Sequence, residues 1–301
     1  MFIIKYKKIF ISISIVLVLL SIASIFIFGL QIGIDFKGGA LTEVVYKESR
    51  PLQSDLDAAL KTLDLGSILI QPTGELGYIV KSIDLTETQH SLLLKTLSQD
   101  GKNPLEEKDF NSIGPSVGRE LTRKAIIAII LVSLGIILFI AFAFRKVSKP
   151  VSSWKYGLMA VISLLHDVII PIGLFTILSH FYGAEVDTLF VVAALTILGL
   201  SVSDTIVIFD RIRENLRNKI EFSFNDTVGR SLDQSYMRSI FTSLTVIIVL
   251  LSLFFFGPES TKYFALMLTA GMFFGTYSSI FLASPLLVLI EELQTNKQAK
   301  K

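Results

Sequence analysis

Residues 198–207 read Leu198-Gly199-Leu200-Ser201-Val202-Ser203-Asp204-Thr205-Ile206-Val207, an apolar run with one carboxylate set inside it. The run belongs to a longer apolar stretch, about Thr188–Phe209. As a helix rising about 1.5 Å per residue, that stretch is long enough to cross a hydrocarbon core of about 30 Å. Asp204 stands seven residues before Arg211, which sets it roughly 10 Å inside the end of the span. A carboxylate at that depth costs about 2.5–3.5 kcal/mol on insertion scales, and its side chain is too short to reach the interface. It must pair, take up a proton or face water. One reading is a site that binds and releases a proton as its surroundings move; the other is a structural hydrogen bond to a neighbouring helix.

Five further stretches have the same character, about Ile9–Leu30, Ala125–Phe144, Tyr156–Leu178, Ser239–Phe256 and Tyr263–Ile290. The last is long, which predicts tilt or extension into the interface, and Pro285 is expected to bend its end. Composition agrees. The chain is 51% hydrophobic and 18% charged with a mean hydropathy of +0.64, against roughly 25% charged residues in a typical soluble domain. The excess apolar surface needs lipid. With no cysteine, disulfides, thiol nucleophiles and thiolate metal sites are excluded. His90, His166 and His180 are scattered, which argues against a histidine-built metal site. No cofactor, metal or nucleic-acid partner is expected. Lys5, Lys7 and Lys8 before Ile9–Leu30 resemble a signal peptide, but the apolar run of about 22 residues exceeds a signal core of ~7–15 and no small-x-small site closes it. A retained first helix is expected.

Six spans put both termini on one side of the membrane, and Lys and Arg decide which. The N-terminal segment carries three, the Arg145–Lys155 loop four (Arg145, Lys146, Lys149, Lys155), the Asp210–Arg238 loop six and the C-terminal tail three. The opposite short loops, His180–Asp187 and Gly257–Lys262, hold one between them. The termini are therefore expected to be cytoplasmic and residues 31–123 to lie outside. In that segment Ala40–Tyr46 reads as a strand and Ser54–Leu63 as a helix with Ser54 as N-cap. Ser67–Gln71 and Tyr78–Ser82 read as strands around Pro72-Thr73-Gly74, and Leu85–Leu97 as a helix with a Thr86–Gln89 capping box. A last strand is expected near Glu106–Ser112. The order βαββαβ suggests a ferredoxin-like domain. The expected fold is thus an α-helical membrane protein with six transmembrane helices and one extracytoplasmic α+β (ferredoxin-like) domain between helices 1 and 2. Its parts are residues 1–30 (N-terminus and first span), 31–123 (outer domain), 124–290 (spans two to six) and 291–301 (cytoplasmic tail).

Other residues invite chemistry. Arg238 opens the fifth span, where Ser235, Arg238, Ser239, Thr242 and Thr245 form one polar stripe at helical spacing. Arg238 is a fixed cation entering from the side of Asp204, so the two can pair at matching depth; a snorkelling interfacial arginine is the alternative. His166-Asp167 lies near the middle of the third span, and Asp167 is the deepest carboxylate. It reads as a second relay member or a structural partner. A catalytic couple is disfavoured, since adjacent helical residues point about 100° apart and no nucleophile accompanies them. Gly271, Gly275 and Ser279, and likewise Gly199 and Ser203, make small-residue stripes suited to close helix packing. Gly33-Ile34-Asp35-Phe36-Lys37-Gly38-Gly39 predicts a tight turn and lacks the Gly-Lys-Ser/Thr ending of a phosphate loop.

Together, Gly33–Gly39, Ile113-Gly114-Pro115-Ser116-Val117-Gly118, His166-Asp167-Val168 and Ser203-Asp204-Thr205-Ile206-Val207-Ile208-Phe209-Asp210-Arg211-Ile212-Arg213-Glu214-Asn215-Leu216 resemble the SecF family of bacterial protein-export subunits. The resemblance runs from the first span to the fifth. It implies a fold of the resistance–nodulation–division superfamily in the cytoplasmic (inner) membrane. It also implies a complex with SecD beside the SecYEG channel, with YajC as a further associate, that uses a proton or sodium gradient to move exported, unfolded polypeptide. It implies ion coupling at Asp204 and Arg238, a family motif at His166 and Asp167, and structural roles for Gly33, Asp35, Gly38, Gly39, Gly114 and Pro115. The SecD helices are expected from another polypeptide. Leu200-Ser201-Val202-Ser203 stands where many members carry an aromatic residue and an asparagine, which leaves the coupling ion open. The expected function is an ion-gradient-driven accessory subunit with no chemical catalytic site. The rivals are a half-size exporter of lipid or small molecules and a passive scaffold.

Overall fold

The structure, a computed structural model, describes residues 2–63, 65–66, 68–143 and 151–299. Arg145, Lys146 and Lys149, the Phe144 end of the second span, Ser67 at the start of an expected strand, and Lys300 and Lys301 lie outside the described residues. The helices are α1 (Phe2–Lys5), α2 (Lys7–Phe28), α3 (Ile34–Lys37), α4 (Gln53–Leu60), α5 (Glu87–Leu97), α6 (Pro115–Ala143), α7 (Ser153–Tyr182), α8 (Thr188–Arg217), α9 (Phe224–Phe256), α10 (Lys262–Ser278) and α11 (Ser284–Ala299). The strands are β1 (Gly39–Tyr46), β2 (Leu69–Thr73), β3 (Gly77–Ser82) and β4 (Leu105–Ile113). Six segments are long and apolar enough to cross a membrane: α2, α6, α7, α8, α9 and the joined α10–α11. Two compact units result, Met1–Gln31 with Ile127–Lys301, and Ile32–Ile126.

In the helical unit, small residues set where helices touch. The buried side of α2 is Ile11, Ser14, Ser21 and Ser24. Gly173 of α7 faces it so closely that a Cβ there would stand 2.6 Å from the Ser21 Cα, and Ser24 Oγ donates to the Gly173 carbonyl at 3.0 Å. Lipid offers no hydrophobic drive between helices, so such close approach and interhelical hydrogen bonds hold the pair. The Gly271–Gly275–Ser279 stripe packs α10 on α8. A Cβ on Gly271 would reach within 2.5 Å of Ile197 Cδ1, and one on Gly275 within 3.2 Å of Ser201 Cβ. Thr205 and Ser279 close the stripe with a hydroxyl–hydroxyl bond of 2.9 Å. The Gly199–Ser203 stripe differs: both residues are exposed and a Cβ on Gly199 would meet nothing within 4 Å. Among the described residues it is not a packing face.

Two prolines shape the long helices. Pro171 lies inside α7 and brings no N–H, so the carbonyl four residues back, that of Asp167, lacks its usual intrahelical donor. Pro285 follows a π-helical turn, Ser279–Ala283, between α10 and α11. There Ser284 Oγ donates to the Ser279 carbonyl at 3.1 Å, supplying a donor where the backbone ladder is widened. The expected bend at Pro285 is therefore a widened turn just before it.

The smaller unit is a four-stranded antiparallel sheet in the order β2-β3-β1-β4, with α4 between β1 and β2 and α5 between β3 and β4 in the chain. Alternation along β1 buries Ala40, Thr42, Val44 and Tyr46. Ala40, Val44 and Tyr46 form one core with Leu56 and Leu60 of α4 and Leu93 and Leu97 of α5, spaced four residues apart on each helix. Tyr46 donates to the Leu97 carbonyl at 2.9 Å, and burial, with the charge of Tyr78 second, pushes its phenol up to about 12. The Thr86–Gln89 capping box is present. Ser54 is not the cap of α4. That helix starts at Gln53 behind Leu52, Gln53 Nε2 ties its start to the Ile70 carbonyl of β2 at 3.0 Å, and Ser54 turns to Asp55. The expected turn at Gly33–Gly39 holds one short helix, α3, released by Gly38 at φ 81°. A Cβ on Gly38 would stand 2.9 Å from the Pro115 Cα, and one on Gly118 would stand 2.9 Å from the Phe36 carbonyl oxygen. The glycine motif and the Gly114-Pro115 motif are thus two sides of one close backbone contact, which explains glycine at both without any ligand.

Candidate functional site

Asp167, on the middle turns of α7, is fully buried. Its Oδ1 meets His166 Nδ1 at 2.8 Å. Its Oδ2 accepts from Ser278 Oγ of α10 at 2.6 Å and, in a very short contact, from Ser201 Oγ of α8. Ser163, one turn earlier on α7, donates to Ser278 Oγ at 2.9 Å. All of these side chains are buried. One carboxyl group therefore ties three helices together, and both of its oxygens are met by buried polar groups.

Asp204 sits on the same side of α8 as Ser201, one turn further on. It is half-buried. Thr276 of α10 reaches its Oδ2 at 3.5 Å, the outer limit of a hydrogen bond, and Ser243 of α9 meets Thr276 in a short hydroxyl contact. Ser239 lies alongside, and the charges of Arg238 and Asp167 both act on the carboxylate. Helices α7, α8, α9 and α10 thus converge on two carboxylates joined by a set of hydroxyls.

Of the four residues expected to couple ions, Asp204, Arg238, Asp167 and His166, the fold brings the two aspartates and His166 into this region. Arg238 is exposed and, among the described residues, makes no ion pair with Asp204; its charge acts from a distance. The stripe on α9 divides. Ser235 and Ser239 face inward with Ser243, which continues the four-residue spacing, whereas Arg238, Thr242 and Thr245 face outward. Although adjacent helical side chains point apart, His166 and Asp167 are both buried and turn to each other. They do not make a nucleophile relay. Ser201 gives its proton to Asp167 and not to His166, whose Nε2 has no hydrogen-bond partner among the described residues. His166 instead stacks on Tyr277 at a ring distance of 6.1 Å. Ser163, Ser201, Ser243, Thr276 and Ser278 were not singled out, since a lone hydroxyl on an apolar helix equally well bonds its own backbone. The available signal was Ser201 three residues before Asp204. Among the described residues no group of three or more His, Asp or Glu side chains is placed to hold a metal ion.

Comparison with known proteins gives the family. The family model for the C-terminal part of the SecD/SecF protein export membrane proteins matches residues 93–293. The chain is 40% identical over 297 residues to the protein translocase subunit SecF of Thermobaculum terrenum, covering 95% of this chain and 92% of that one. It is 34% identical over 287 residues to the SecF subunit of Anaerolinea thermophila, with the same coverage. Among solved structures, the translocon-associated membrane protein SecDF of Thermus thermophilus superposes with a TM-score of 0.78 at 29% identity. That match covers 95% of this chain and 38% of the SecDF chain, so this chain spans well under half of its length. A multi-pass membrane chain with this helix order, these motifs and these relatives belongs to the SecF branch of the SecD/SecF family of protein-export membrane proteins.

Proposed function

We propose that this chain is the SecF-type accessory subunit of the Sec export machinery and that it couples the proton or sodium gradient to late steps of polypeptide translocation across the cytoplasmic membrane. In this reading SecD supplies the other half of the assembly, and the SecYEG channel and YajC are neighbours. Both termini are cytoplasmic, by the excess of Lys and Arg on that side. The sheet of Ile32–Ile126, whose strand order is that of ferredoxin-like domains, forms the extracytoplasmic part between the first two spans and handles unfolded polypeptide. Asp204 takes and releases the ion, Arg238 is the fixed charge it answers to, and Asp167 with His166 completes the cluster.

The observation that carries this reading is the pair of carboxylates, Asp167 of α7 and Asp204 of α8, held in membrane-spanning helices by hydroxyls from α8 and α10. Ionisable groups at such depth are costly and mark ion paths. Moving one charge through 100 mV supplies about 2.3 kcal/mol, enough to bias a two-state element roughly fiftyfold. The role is mechanical, so no bond of a substrate is made or broken. The test is Asp204→Asn, a near-isosteric change, in vesicles that hold the chain with its native partners. Gradient-stimulated export is expected to be lost while assembly and gradient-independent export persist. Full stimulation in that variant removes Asp204 from the mechanism.

A further inference from the structure

Asp167 offers its Oδ2 to two serines at once, Ser201 from α8 and Ser278 from α10. Each serine stands close in sequence to a partner in the ion site. Ser201 precedes Asp204 by one turn of α8, and Ser278 follows Thr276 by two residues on α10. We propose that Ser201 and Ser278 are positioning residues for the ion site: by sharing one oxygen of Asp167 they clamp α8 to α10 and so set the distance between Thr276 and Asp204. The inference rests on the reading of Asp204 as the ion-binding group.

Four features support the clamp. Thr276 Oγ1 lies 3.0 Å from its own-helix Met272 carbonyl and 3.5 Å from Asp204 Oδ2, so a shift of a few tenths of an ångström decides which acceptor takes its proton. The residue opposite Ser201 on α10 is Gly275, where a Cβ would stand 3.2 Å from Ser201 Cβ. The two helices are in direct contact there, and the hydroxyl bonds fix how Ser201 and Ser278 sit at that contact. Ser163 gives its proton to Ser278, and Ser278 directs its own proton to Asp167 at 2.6 Å in preference to the Gly275 carbonyl at 3.0 Å. The widened turn Ser279–Ala283 begins next to Ser278, and the absence of a regular ladder there gives α10 a place to adjust. The clamp answers to charge, because hydrogen bonds to an ionised carboxylate are about twice as strong as neutral ones. The titratable groups around it are His166 and Asp167 on α7, Asp204 on α8 and Tyr277 on α10, while Arg238 of α9 faces outward and acts from a distance; among the described residues α2 brings Ser14 up to Tyr277.

The experiment measures gradient-stimulated export against pH in vesicles carrying the chain with its native partners. The variants are Ser201→Ala, Ser278→Ala, their hydroxyl-keeping counterparts Ser201→Thr and Ser278→Thr, and Thr205→Ala. Loss of one charge-assisted bond is expected to move the midpoint of the profile by about half a unit or more, and to cut the stimulated fraction at least about threefold. At least one threonine variant restores the wild-type midpoint. Thr205→Ala removes a hydroxyl bond from α8 to Ser279 of the widened turn, which does not involve Asp167, and leaves the midpoint in place. If the alanine variants do not assemble, Ser163→Ala is read instead and gives a smaller shift. Assembled alanine variants with wild-type midpoints, beside an inactive Asp204→Asn, overturn the clamp alone. An active Asp204→Asn overturns the reading on which it rests.

Discussion

Replacing Gly271 by alanine adds one methyl group where α10 crosses α8. That Cβ would lie 2.5 Å from Ile197 Cδ1, 3.0 Å from Cγ2 and closer still to Cγ1. Ile197 is 1% exposed, and a β-branched side chain in a helix has essentially one χ1 well. Because all three outer carbons are in conflict, a rotamer change does not clear them, and the helices must part by about 1 Å to restore ordinary contact. Overpacking of this kind costs about 1–3 kcal/mol, while removing a helical glycine returns about 0.8–1 kcal/mol. The net expectation is a loss of about 0–2 kcal/mol. Gly275→Ala meets Ser201 Cβ at 3.2 Å and is expected to be about neutral in stability while displacing Ser201. Gly199→Ala meets nothing within 4 Å and is expected to gain up to about 1 kcal/mol. Equilibrium unfolding of the purified protein in detergent, followed by circular dichroism, orders the three. The packing account fails if Gly271→Ala is as stable as Gly199→Ala.

Tyr46 gives a pH dependence with a definite sign. Its phenol is pushed up to about 12 in the folded unit, so the folded state favours the neutral form. That contribution is complete below the ordinary tyrosine value near 10 and is lost as pH rises through about 12. Alkaline unfolding monitored by tyrosinate absorbance should therefore fall in this window, and Tyr46→Phe, which also loses the bond to Leu97, should cost about 1 kcal/mol at neutral pH and flatten the alkaline limb. Lys7 of α2 meets Glu292 of α11 at 2.6 Å with the lysine largely covered. A double-mutant cycle on Lys7→Met and Glu292→Gln in detergent should show a coupling of about 0.5–1 kcal/mol that shrinks with salt; zero coupling at low salt would make the contact incidental.

The apolar spans were legible because length and hydropathy alone report them: a helix that crosses lipid can satisfy its backbone only internally, so its side chains must be apolar throughout. Their ends were not. Helix α9 starts at Phe224 and not near Ser239, because its first turns carry charge and lie beyond the apolar run. Thr86–Gln89 was legible as a cap since both partners lie within one turn, whereas the start of α4 was set by Gln53 reaching a strand that follows later in the chain.

Asp204 and Asp167 stood out from their neighbours because a carboxylate inside an apolar run is anomalous on solvation grounds alone. What each of them bonds to was a matter of tertiary structure. Serine and threonine occur throughout the spans, and nothing local separates Ser278, which reaches Asp167 across more than a hundred residues of chain, from Ser252, which bonds its own helix. Likewise Arg238 and Ser239 are neighbours in sequence, yet the rotation of α9 buries the serine and exposes the arginine. Local composition decides where a charge is costly; only the meeting of distant helices decides which donors stand ready to hold it.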